Sequence, residues 1–410
     1  MRERSALGID IFLIAATVAL LAVGVLFIYS SGVTNTGVSF SQEWIRQLIW
    51  AALGMIVLVA VAIMDYARLR DLAVYLWVGL LAVLVVTLLF GRVVNGARSW
   101  IGVGDLGVQP SEFMKIVTIL FLASHLDRSR RSIQDPIGFA TSLGIAMIPM
   151  ILILLQPDLG TALVYVPIFL FMAFAAGARP SYLIFILVTA VLLVIFTVLP
   201  AWEEIIAQRD IEVVNVLTDT RLFAYVLLAI GLIGILGIVG VFLLKRPWFR
   251  WITFTSGMLM LSLLGSVAGR KVLKDYQLMR LIVFLNPNVD PRGAGWNIIQ
   301  SVTAVGSGGI SGKGWLQGTQ SHLQYLPQQS TDFIFSILAE EWGFVGALVV
   351  FSCFAVIIAR GIIIAGKAKD SFAAYTAIGV VAMIFFHVAV NVGMAIGIMP
   401  ITGIPLVLIS

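Results

Sequence analysis

The chain has 410 residues, of which 60% are hydrophobic and only 11% are charged, and its formal net charge is +5. A soluble domain does not carry this much apolar sequence, so the composition excludes a soluble enzyme or binding module. The single cysteine, Cys353, excludes an internal disulfide framework and a cysteine-based metal site, and the three histidines are far apart in sequence. In a membrane protein, a surplus of basic residues sets orientation and does not indicate nucleic-acid binding.

Apolar runs recur from end to end, and many are close to the ~20 residues that cross a bilayer as a helix. They predict an all-α polytopic membrane protein, because backbone at membrane depth must satisfy its own hydrogen bonds. The N-terminal run is too long for a signal-peptide core and is interpreted as an uncleaved first span. The spans are predicted near residues 8–30, 44–64, 69–90, 110–126, 137–155, 159–177, 181–200, 221–244, 251–269, 332–360 and 372–399.

The basic residues predict a cytoplasmic N-terminus. With that orientation, 14 of the 26 Lys and Arg residues fall in six short inside segments. Short cytoplasmic loops carry such an excess, whereas long translocated loops escape the bias. The inside residues are Arg2, Arg4, Arg68, Arg70, Arg128, Arg130, Arg131, Arg179, Lys245, Arg246, Arg250, Arg360, Lys367 and Lys369.

Residues 270–331 form the longest hydrophilic segment, and this orientation places them outside the cytoplasm. The segment is rich in glycine and also holds basic residues. A long ordered loop in a membrane protein is usually functional. We therefore predict one transmembrane domain over residues 1–410, with an extracytoplasmic catalytic loop at 270–331 and an inserted extra pair of spans at 201–270.

Asp290 lies in this outer segment, in the stretch PNVDPRGAGWN, where two prolines and two glycines oppose a regular helix. An aspartate before proline is also ordinary turn chemistry, so a simple loop is the alternative. Basic side chains and exposed backbone N–H groups suit a phosphate or pyrophosphate. A carboxylate beside such a group fits transfer chemistry, either as a general base or as a ligand of a divalent cation such as Mg²⁺ or Mn²⁺.

Glu112 and Lys115 are three residues apart near the outer start of a span, so they share one helix face. Ionisable groups at such depth are costly and usually functional. The alternative is a structural ion pair that fixes two helices. Asp158, in QPDLGTALVY, is either functional or the N-cap of the following helix, and the N-cap is the favoured interpretation.

Other polar residues lie within or beside the spans. Arg98, beside Trp100, suits a lipid head group, although an interfacial tryptophan is more often a simple anchor. Asp332 is a plausible N-cap, and Glu340 and Asp10 each need a partner inside the bundle. Two prolines in GIMPITGIPLVLIS indicate a broken, non-helical segment.

Four stretches together resemble the SEDS family (shape, elongation, division and sporulation) of peptidoglycan polymerases, and its RodA branch more than its FtsW branch. They are NGARSWIGVGDLGVQPSEFMKI, QPDLGTALVY, the run from KDYQLMRLIVFLNPNVDPRGAGWN through GKGWLQGTQSHLQYLPQQSTDFIFSILAEEWGFVGAL, and GIMPITGIPLVLIS. They are spread over residues 95 to 410, so the resemblance is specific.

The resemblance implies that Asp290 is the essential extracytoplasmic aspartate, and that the substrate is lipid II, a disaccharide-pentapeptide on undecaprenyl pyrophosphate. It also implies that Glu112 and Lys115 lie in a central cavity, that function is sensitive to Asp158, and that a class B penicillin-binding protein is the partner. The full set of candidate substrate-binding residues is Lys274, Arg280, Lys313, Arg98, Glu112, Lys115, Asp158, Gln300, Thr319 and Gln320.

The chain departs from the family pattern in its spans. The predicted number of spans is about eleven, two more than the family's usual pattern at this point, because residues 201–270 add a pair. Family members then continue through a Tyr-Gly-Gly-Ser loop into a last span.

Two other functions stay open. One is a lipid II flippase, motivated by the intramembrane charges of Glu112 and Lys115, and the other is a scaffold that only recruits the penicillin-binding protein.

Overall fold

The computed structural model describes residues 10–34, 41–94, 97–103, 106–129, 132–323, 325–326 and 328–410. Of the basic residues that set the predicted orientation, Arg2, Arg4, Arg130 and Arg131 lie outside the described residues, as do the first residues of the first predicted span.

The described chain is mainly helical. The N-terminal half contains α1 (Ile11–Ser31), α2 (Glu43–Ile63), α3 (Tyr66–Phe90), α4 (Pro110–Arg128), α5 (Pro136–Leu155), α6 (Leu159–Leu163), α7 (Tyr165–Ala175) and α8 (Pro180–Trp202). The C-terminal half contains α9 (Glu212–Thr218), α10 (Thr220–Leu243), α11 (Trp248–Val272), α12 (Asp275–Leu285), α13 (Ala294–Ser307), α14 (Thr319–His322), α15 (Ile334–Lys367) and α16 (Ser371–Ala395).

Each of the eleven predicted spans coincides with a helix or, at 159–177, with the consecutive helices α6 and α7. Within the described residues, nine helices are long and apolar enough to cross a membrane: α1, α2, α3, α5, α8, α10, α11, α15 and α16. The other two predicted spans differ for physical reasons. Helix α4 carries four charged residues, and α6 with α7 forms a shorter apolar segment at Leu159–Ala175. The predicted all-α polytopic membrane fold is confirmed.

The chain divides into two compact units, residues 1–176 with 291–410 and residues 177–290. In the first unit, α15 packs against α1, α13 and α16, and α16 packs against α4 and α7. The core between α1, α15 and α16 is apolar, and the Phe27 ring meets Trp342 edge-on at 4.8 Å between centroids. At the start of α1, Asp10 caps the helix and pairs with Arg360 of α15, so the predicted need for a partner is met.

Helix α15 is interrupted at Gly343, where φ is +62° and ψ is −159°. The break leaves backbone groups without helical partners, and a neighbouring loop satisfies them. The carbonyl oxygens of Glu340 and Glu341 accept from the N–H groups of Lys313 and Gly314, both at 3.0 Å. In return, the N–H groups of Phe344 and Val345 donate to Gly309 and Ile310. Loop 308–323 is therefore joined to α15 through main-chain hydrogen bonds.

The C-terminal segment after α16 is non-helical and mostly half-buried, and its lack of helix confirms the prediction of a broken segment. The amide of Asn391 donates to the carbonyl oxygens of Asp332 and Ile404, both at 2.8 Å. Gly24 of α1 lets this segment approach closely, because a Cβ atom there would lie 2.3 Å from the carbonyl oxygen of Ile409. Irregular backbone within an apolar bundle is tolerated because protein groups satisfy it.

The second unit contains α8 to α12, and its main packing is α10 on α11 and α11 on α8. Glycines on α10 permit close approach: a Cβ at Gly237 would lie 2.7 Å from the Thr253 hydroxyl, and one at Gly240 would overlap the Phe249 ring. The pair of long helices expected within 201–270 is present as α10 and α11. That this pair is an addition to the family's pattern stays a prediction.

A small antiparallel sheet was not predicted. Its strands are β1 (Arg92–Val94), β2 (Ala97–Val103) and β3 (Leu106–Val108), in the order β1-β2-β3. It lies between α3 and α4, where short alternating stretches replace the long apolar runs. The sheet carries Arg98 and Trp100, and the Trp100 ring packs over Gly107.

Replacing Gly343 with alanine tests the α15 break. A Cβ at this position would lie 2.3 Å from the Gly312 nitrogen, and its φ and ψ belong to a region that is essentially reserved for glycine. We expect Gly343→Ala to lower stability by at least about 2 kcal/mol, measured as a lower apparent melting temperature in detergent.

The matched control is Gly366→Ala in the same helix, where an added Cβ meets nothing within 4 Å. This variant is expected to be neutral or slightly stabilising, by up to about 1 kcal/mol. Equal melting temperatures for both variants would contradict the role assigned to Gly343.

Candidate functional site

Asp290 follows a short 3₁₀ turn, Pro287–Val289, that comes directly after α12. Asn286 caps the turn, and its side-chain oxygen accepts from the N–H of Asn288 at 3.1 Å. The flanking prolines prevent the helix from continuing, so the aspartate has a non-helical backbone, with φ of −137° and ψ of 71°, and it is half-buried. This segment presents a carboxylate at a helix end outside the predicted spans.

Two predicted basic residues lie on α12 in the same unit as Asp290. Lys274 is the exposed N-cap residue of α12, and its N–H donates to Gln277 at 3.0 Å. Arg280 lies one turn later than Tyr276 and stacks over that ring, with the guanidinium carbon 5.6 Å from the ring centroid. Helix α12 packs on the turn before Asp290, so one small unit carries the carboxylate and both cations.

A second group of predicted residues surrounds Glu340, whose side chain is fully buried. One Glu340 oxygen, Oε1, accepts from Lys313 Nζ at 2.7 Å, from the Thr319 N–H at 2.8 Å and from the Gln320 N–H at 3.1 Å. The Thr319 hydroxyl adds a further hydrogen bond at 2.9 Å. The sequence expectation that Glu340 needs a partner is confirmed. The substrate-binding role of Lys313, Thr319 and Gln320 stays a prediction.

Glu341, also fully buried, has a separate set of partners. It accepts from the Ser30 hydroxyl at 2.5 Å and from the Leu316 N–H at 3.2 Å, and His322 Nε2 lies 3.4 Å from its Oε1. His322 Nδ1 is 2.6 Å from the carbonyl oxygen of Val33, an atom that can only accept. The Glu341 carboxylate and this carbonyl together raise the pKa of His322 above its ordinary value.

Sequence reasoning missed the cluster of Glu341, Ser30 and His322. Two adjacent glutamates inside an apolar run were a signal that buried partners exist. The sequence does not reveal that those partners come from α1 and from the loop before α15.

Helix α15 begins at Ile334, and its N-cap residue is Phe333. The expectation that Asp332 fills the N-cap position is therefore wrong.

A third group lies where α4 meets α16. Lys115 Nζ is 2.9 Å and 2.8 Å from the two carboxylate oxygens of Glu112, and 3.1 Å from His387 Nε2. The prediction that Glu112 and Lys115 share one helix face is confirmed, because they form an ion pair within α4. His387 was not a predicted site residue. A lone histidine within an apolar run was the only signal in the sequence.

Asp158 is the N-cap of α6, as the favoured interpretation held. Its Oδ1 accepts from the Thr161 N–H at 3.1 Å, and its Oδ2 accepts from the Gln109 amide at 2.6 Å. Burial raises the pKa of the Asp158 carboxyl. Gly160 lies against the C-terminal segment, since an added Cβ would be 2.2 Å from the Thr402 carbonyl oxygen.

Two predicted residues belong to other parts of the first unit. Arg98 lies exposed on β2, and its guanidinium donates to the carbonyl oxygen of Leu89 at the end of α3, at 3.3 Å. Gln300 is half-buried on α13, which Ser301 fixes through hydrogen bonds to Ser336 at 2.6 Å and to the Ala395 carbonyl at 2.7 Å.

The described residues contain no group of three or more His, Cys, Asp or Glu side chains placed to hold a metal ion. A divalent cation at Asp290 would therefore take most of its ligands from water or from a bound pyrophosphate, as Mg²⁺ commonly does. The cation stays a prediction.

Glu340→Gln tests the cluster on loop 308–323. The amide keeps the shape but removes the charge that Lys313 neutralises, and Lys313 is only 27% exposed. Removing one partner of a buried ion pair costs about 3–5 kcal/mol, and we expect the lower end because Lys313 reaches water. The free energy of unfolding and the rate of proteolysis in the loop measure this loss.

A surface change of the same chemistry, Glu43→Gln at the exposed start of α2, serves as the control and is expected to stay within about 0.5 kcal/mol. If Glu340→Gln were equally silent, the cluster would not fix the loop.

The raised pKa of His322 predicts a pH dependence of stability. A histidine whose folded-state pKa lies above its unfolded value of about 6.5 contributes stability fully below that value and loses it as pH rises through the folded pKa. We expect the melting temperature of the protein to exceed that of His322→Asn most at about pH 6, with the difference shrinking toward about pH 9. A difference that stays constant with pH would contradict an imidazolium between Val33 and Glu341.

The comparisons with known proteins agree with this architecture. The family of cell cycle proteins that comprises FtsW, RodA and SpoVE matches residues 11–225 and 204–410. The peptidoglycan glycosyltransferase RodA of Treponema pallidum (strain Nichols) is 47% identical over 413 aligned residues, which cover 100% of this chain and 94% of that protein. The stage V sporulation protein E of Bacillus subtilis (strain 168) is 34% identical, covering 98% and 91%.

Solved structures share the fold. A chain of a peptidoglycan synthase complex that coordinates polymerization and crosslinking superposes with a TM-score of 0.64 at 27% identity, covering 98% of this chain and 91% of that one. The rod shape determining protein RodA of Thermus thermophilus, at 23% identity and a TM-score of 0.59, supports the fold alone. The resemblance found in the sequence is thus confirmed over the whole chain, and the chain belongs to the FtsW/RodA/SpoVE family.

Proposed function

We propose that this chain is a peptidoglycan glycosyltransferase that polymerises lipid II into glycan strands during cell-wall elongation, with Asp290 as its catalytic base. The observation that carries the proposal is the whole-chain similarity, at 47% identity, to a RodA protein named as a peptidoglycan glycosyltransferase. The position of Asp290 supports it, because the carboxylate lies at a helix end outside the spans and shares a unit with Lys274 and Arg280.

The proposed reaction joins two lipid-linked sugars at the outer membrane face. The Asp290 carboxylate removes the proton from the 4-hydroxyl of the acceptor GlcNAc, and that oxygen attacks C1 of the donor sugar. The bond from C1 to the pyrophosphate oxygen breaks, and undecaprenyl pyrophosphate leaves with the bonding electron pair. One new glycosidic bond forms for each pyrophosphate released, and the proton stays on Asp290 until solvent takes it.

The leaving pyrophosphate carries negative charge, and cationic side chains stabilise it best when they are fixed in advance. Lys274 and Arg280 are suited to this because α12 holds both, and the Tyr276 ring supports the Arg280 guanidinium. A divalent cation, if bound at Asp290, would supply additional positive charge to the pyrophosphate.

The same proposal includes location and partner. The chain is a multi-pass membrane protein, and we place it in the bacterial cytoplasmic (inner) membrane with its N-terminus inside and residues 270–331 outside, on the distribution of its basic residues. We expect a class B penicillin-binding protein as its crosslinking partner, since a structural neighbour is part of a peptidoglycan synthase complex in which polymerization and crosslinking are coordinated.

Replacing Asp290 with asparagine tests the catalytic assignment. The amide keeps the shape but cannot take a proton, so we expect glycan polymer formation from purified lipid II to fall by roughly 100-fold or more, as is typical for loss of a general base. The purified protein is assayed with its penicillin-binding partner, and moenomycin is added to suppress contaminating transglycosylases.

Asp275→Asn, at the exposed start of α12, is the matched control and should retain polymerisation. Near-normal polymer from a folded Asp290→Asn variant would refute the role of Asp290. If the wild-type protein made no polymer while an active control did, translocation of labelled lipid II in vesicles would distinguish a flippase from a scaffold.

A further inference from the structure

Lys115 and His387 meet inside the helical bundle of the first unit, and both are almost completely buried. Lys115 is 2% exposed and His387 is 1% exposed, whereas the Glu112 side chain is 40% exposed. The three residues therefore form a row that runs from an open end at Glu112 to a closed end at His387. A ligand that enters this row meets Glu112 first and does not touch His387.

Hydrogen-bond chemistry assigns the state of the His387 ring. Nδ1 lies 2.8 Å from the carbonyl oxygen of Met383, which can only accept, so Nδ1 carries a proton. Nε2 faces Lys115 Nζ at 3.1 Å, and an ammonium group can only donate. Nε2 is therefore the acceptor, and the ring is the neutral tautomer with its proton on Nδ1. A second proton on the ring would place two donors against each other.

The same contacts fix the position of the lysine ammonium. It has three N–H groups; Glu112 accepts through both carboxylate oxygens, at 2.9 Å and 2.8 Å, and His387 accepts on the opposite helix. A buried ammonium group requires such partners, because leaving one of its donors without an acceptor is costly in an apolar interior. Helix α16, through His387, thus supplies one of the acceptors that hold the Lys115 ammonium group in place.

We propose that His387 is a positioning residue for glycan polymerisation. It holds the Lys115 ammonium against Glu112, so that the half-exposed Glu112 carboxylate is presented to hydroxyl or amide groups of the lipid-linked substrate. The inference rests on the proposed polymerase function and on the predicted substrate-binding role of Glu112 and Lys115. It assigns to α16 a part in substrate binding that none of the sequence motifs indicates.

Kinetics of polymerisation test this role with two substitutions at one position. His387→Leu keeps apolar packing but removes the acceptor, and we expect kcat/KM for lipid II to fall roughly 10- to 100-fold, the equivalent of one hydrogen bond to a charged group. The fall should come mainly through KM, because the segment that carries Asp290 is unchanged. His387→Gln offers an amide oxygen to Lys115 and should stay within roughly fivefold of the wild-type value.

His125→Leu is the matched control. This histidine is half-buried on α4 and belongs to no part of the proposed site, so the kcat/KM of the His125→Leu variant should be unchanged. Wild-type kinetics for His387→Leu would overturn the proposal, and so would an equal loss for the Leu and Gln variants, because a merely structural role would not be rescued by an acceptor.

A double-mutant cycle separates this inference from the proposed function. Melting temperatures are measured in detergent for Lys115→Met, His387→Leu and the double variant. If His387 acts through Lys115, the double variant is no less stable than Lys115→Met alone, since the ammonium that needs the acceptor is already gone. Additive losses would overturn the contact. The cycle does not depend on enzyme activity, so it tests the contact between His387 and Lys115 even if the wild-type protein makes no polymer, a result that would refute the proposed function instead.

Discussion

Pairing of buried charge is the constraint on which much of the first unit depends. An ionised side chain in an apolar interior is tolerated only when opposite charges and hydrogen-bond donors surround it. Glu340 and Glu341 are fully buried next to each other and are satisfied in different directions. Glu340 binds loop 308–323 through Lys313, whereas Glu341 binds the end of α1 through Ser30. Two adjacent residues of one helix thereby join three parts of the chain.

Backbone hydrogen bonding is the second constraint, and the glycines show how it is met. Helix α15 breaks at Gly343, and loop 308–323 supplies the lost main-chain partners. The C-terminal segment is irregular, but Asn391 and the close approach at Gly24 hold it against helices. Non-helical backbone in this unit is thus placed where other protein groups can satisfy it. These close contacts leave no room for a side chain, which explains why glycine occupies the positions.

The residue proposed for catalysis and the buried charged residues are positioned in different ways, the first by local sequence and the others by helix packing. Asp290 lies at the end of a short turn in the second unit, where its conformation is set by two prolines and an asparagine cap. Glu112 and Lys115 pair within α4, and Lys115 meets His387 across the packed helices α4 and α16. A short local sequence is sufficient to shape the first arrangement. The contact between Lys115 and His387 requires the two helices to pack in one particular register, since a rotation of either helix would remove one acceptor from the buried Lys115 ammonium group.

From the sequence alone follow the membrane character, the positions of the long helices, the family motifs and the shared helix face of Glu112 and Lys115. These features follow from hydropathy and from spacing along a single helix, which are local properties. It also indicated that Asp158 caps a helix and that Glu340 needs a partner. The identity of the buried partners, in contrast, depends on the tertiary structure. Lys115 and His387 are 272 residues apart, and Ser30 and Glu341 are 311 apart, so their meeting depends on helix packing, which no local pattern encodes.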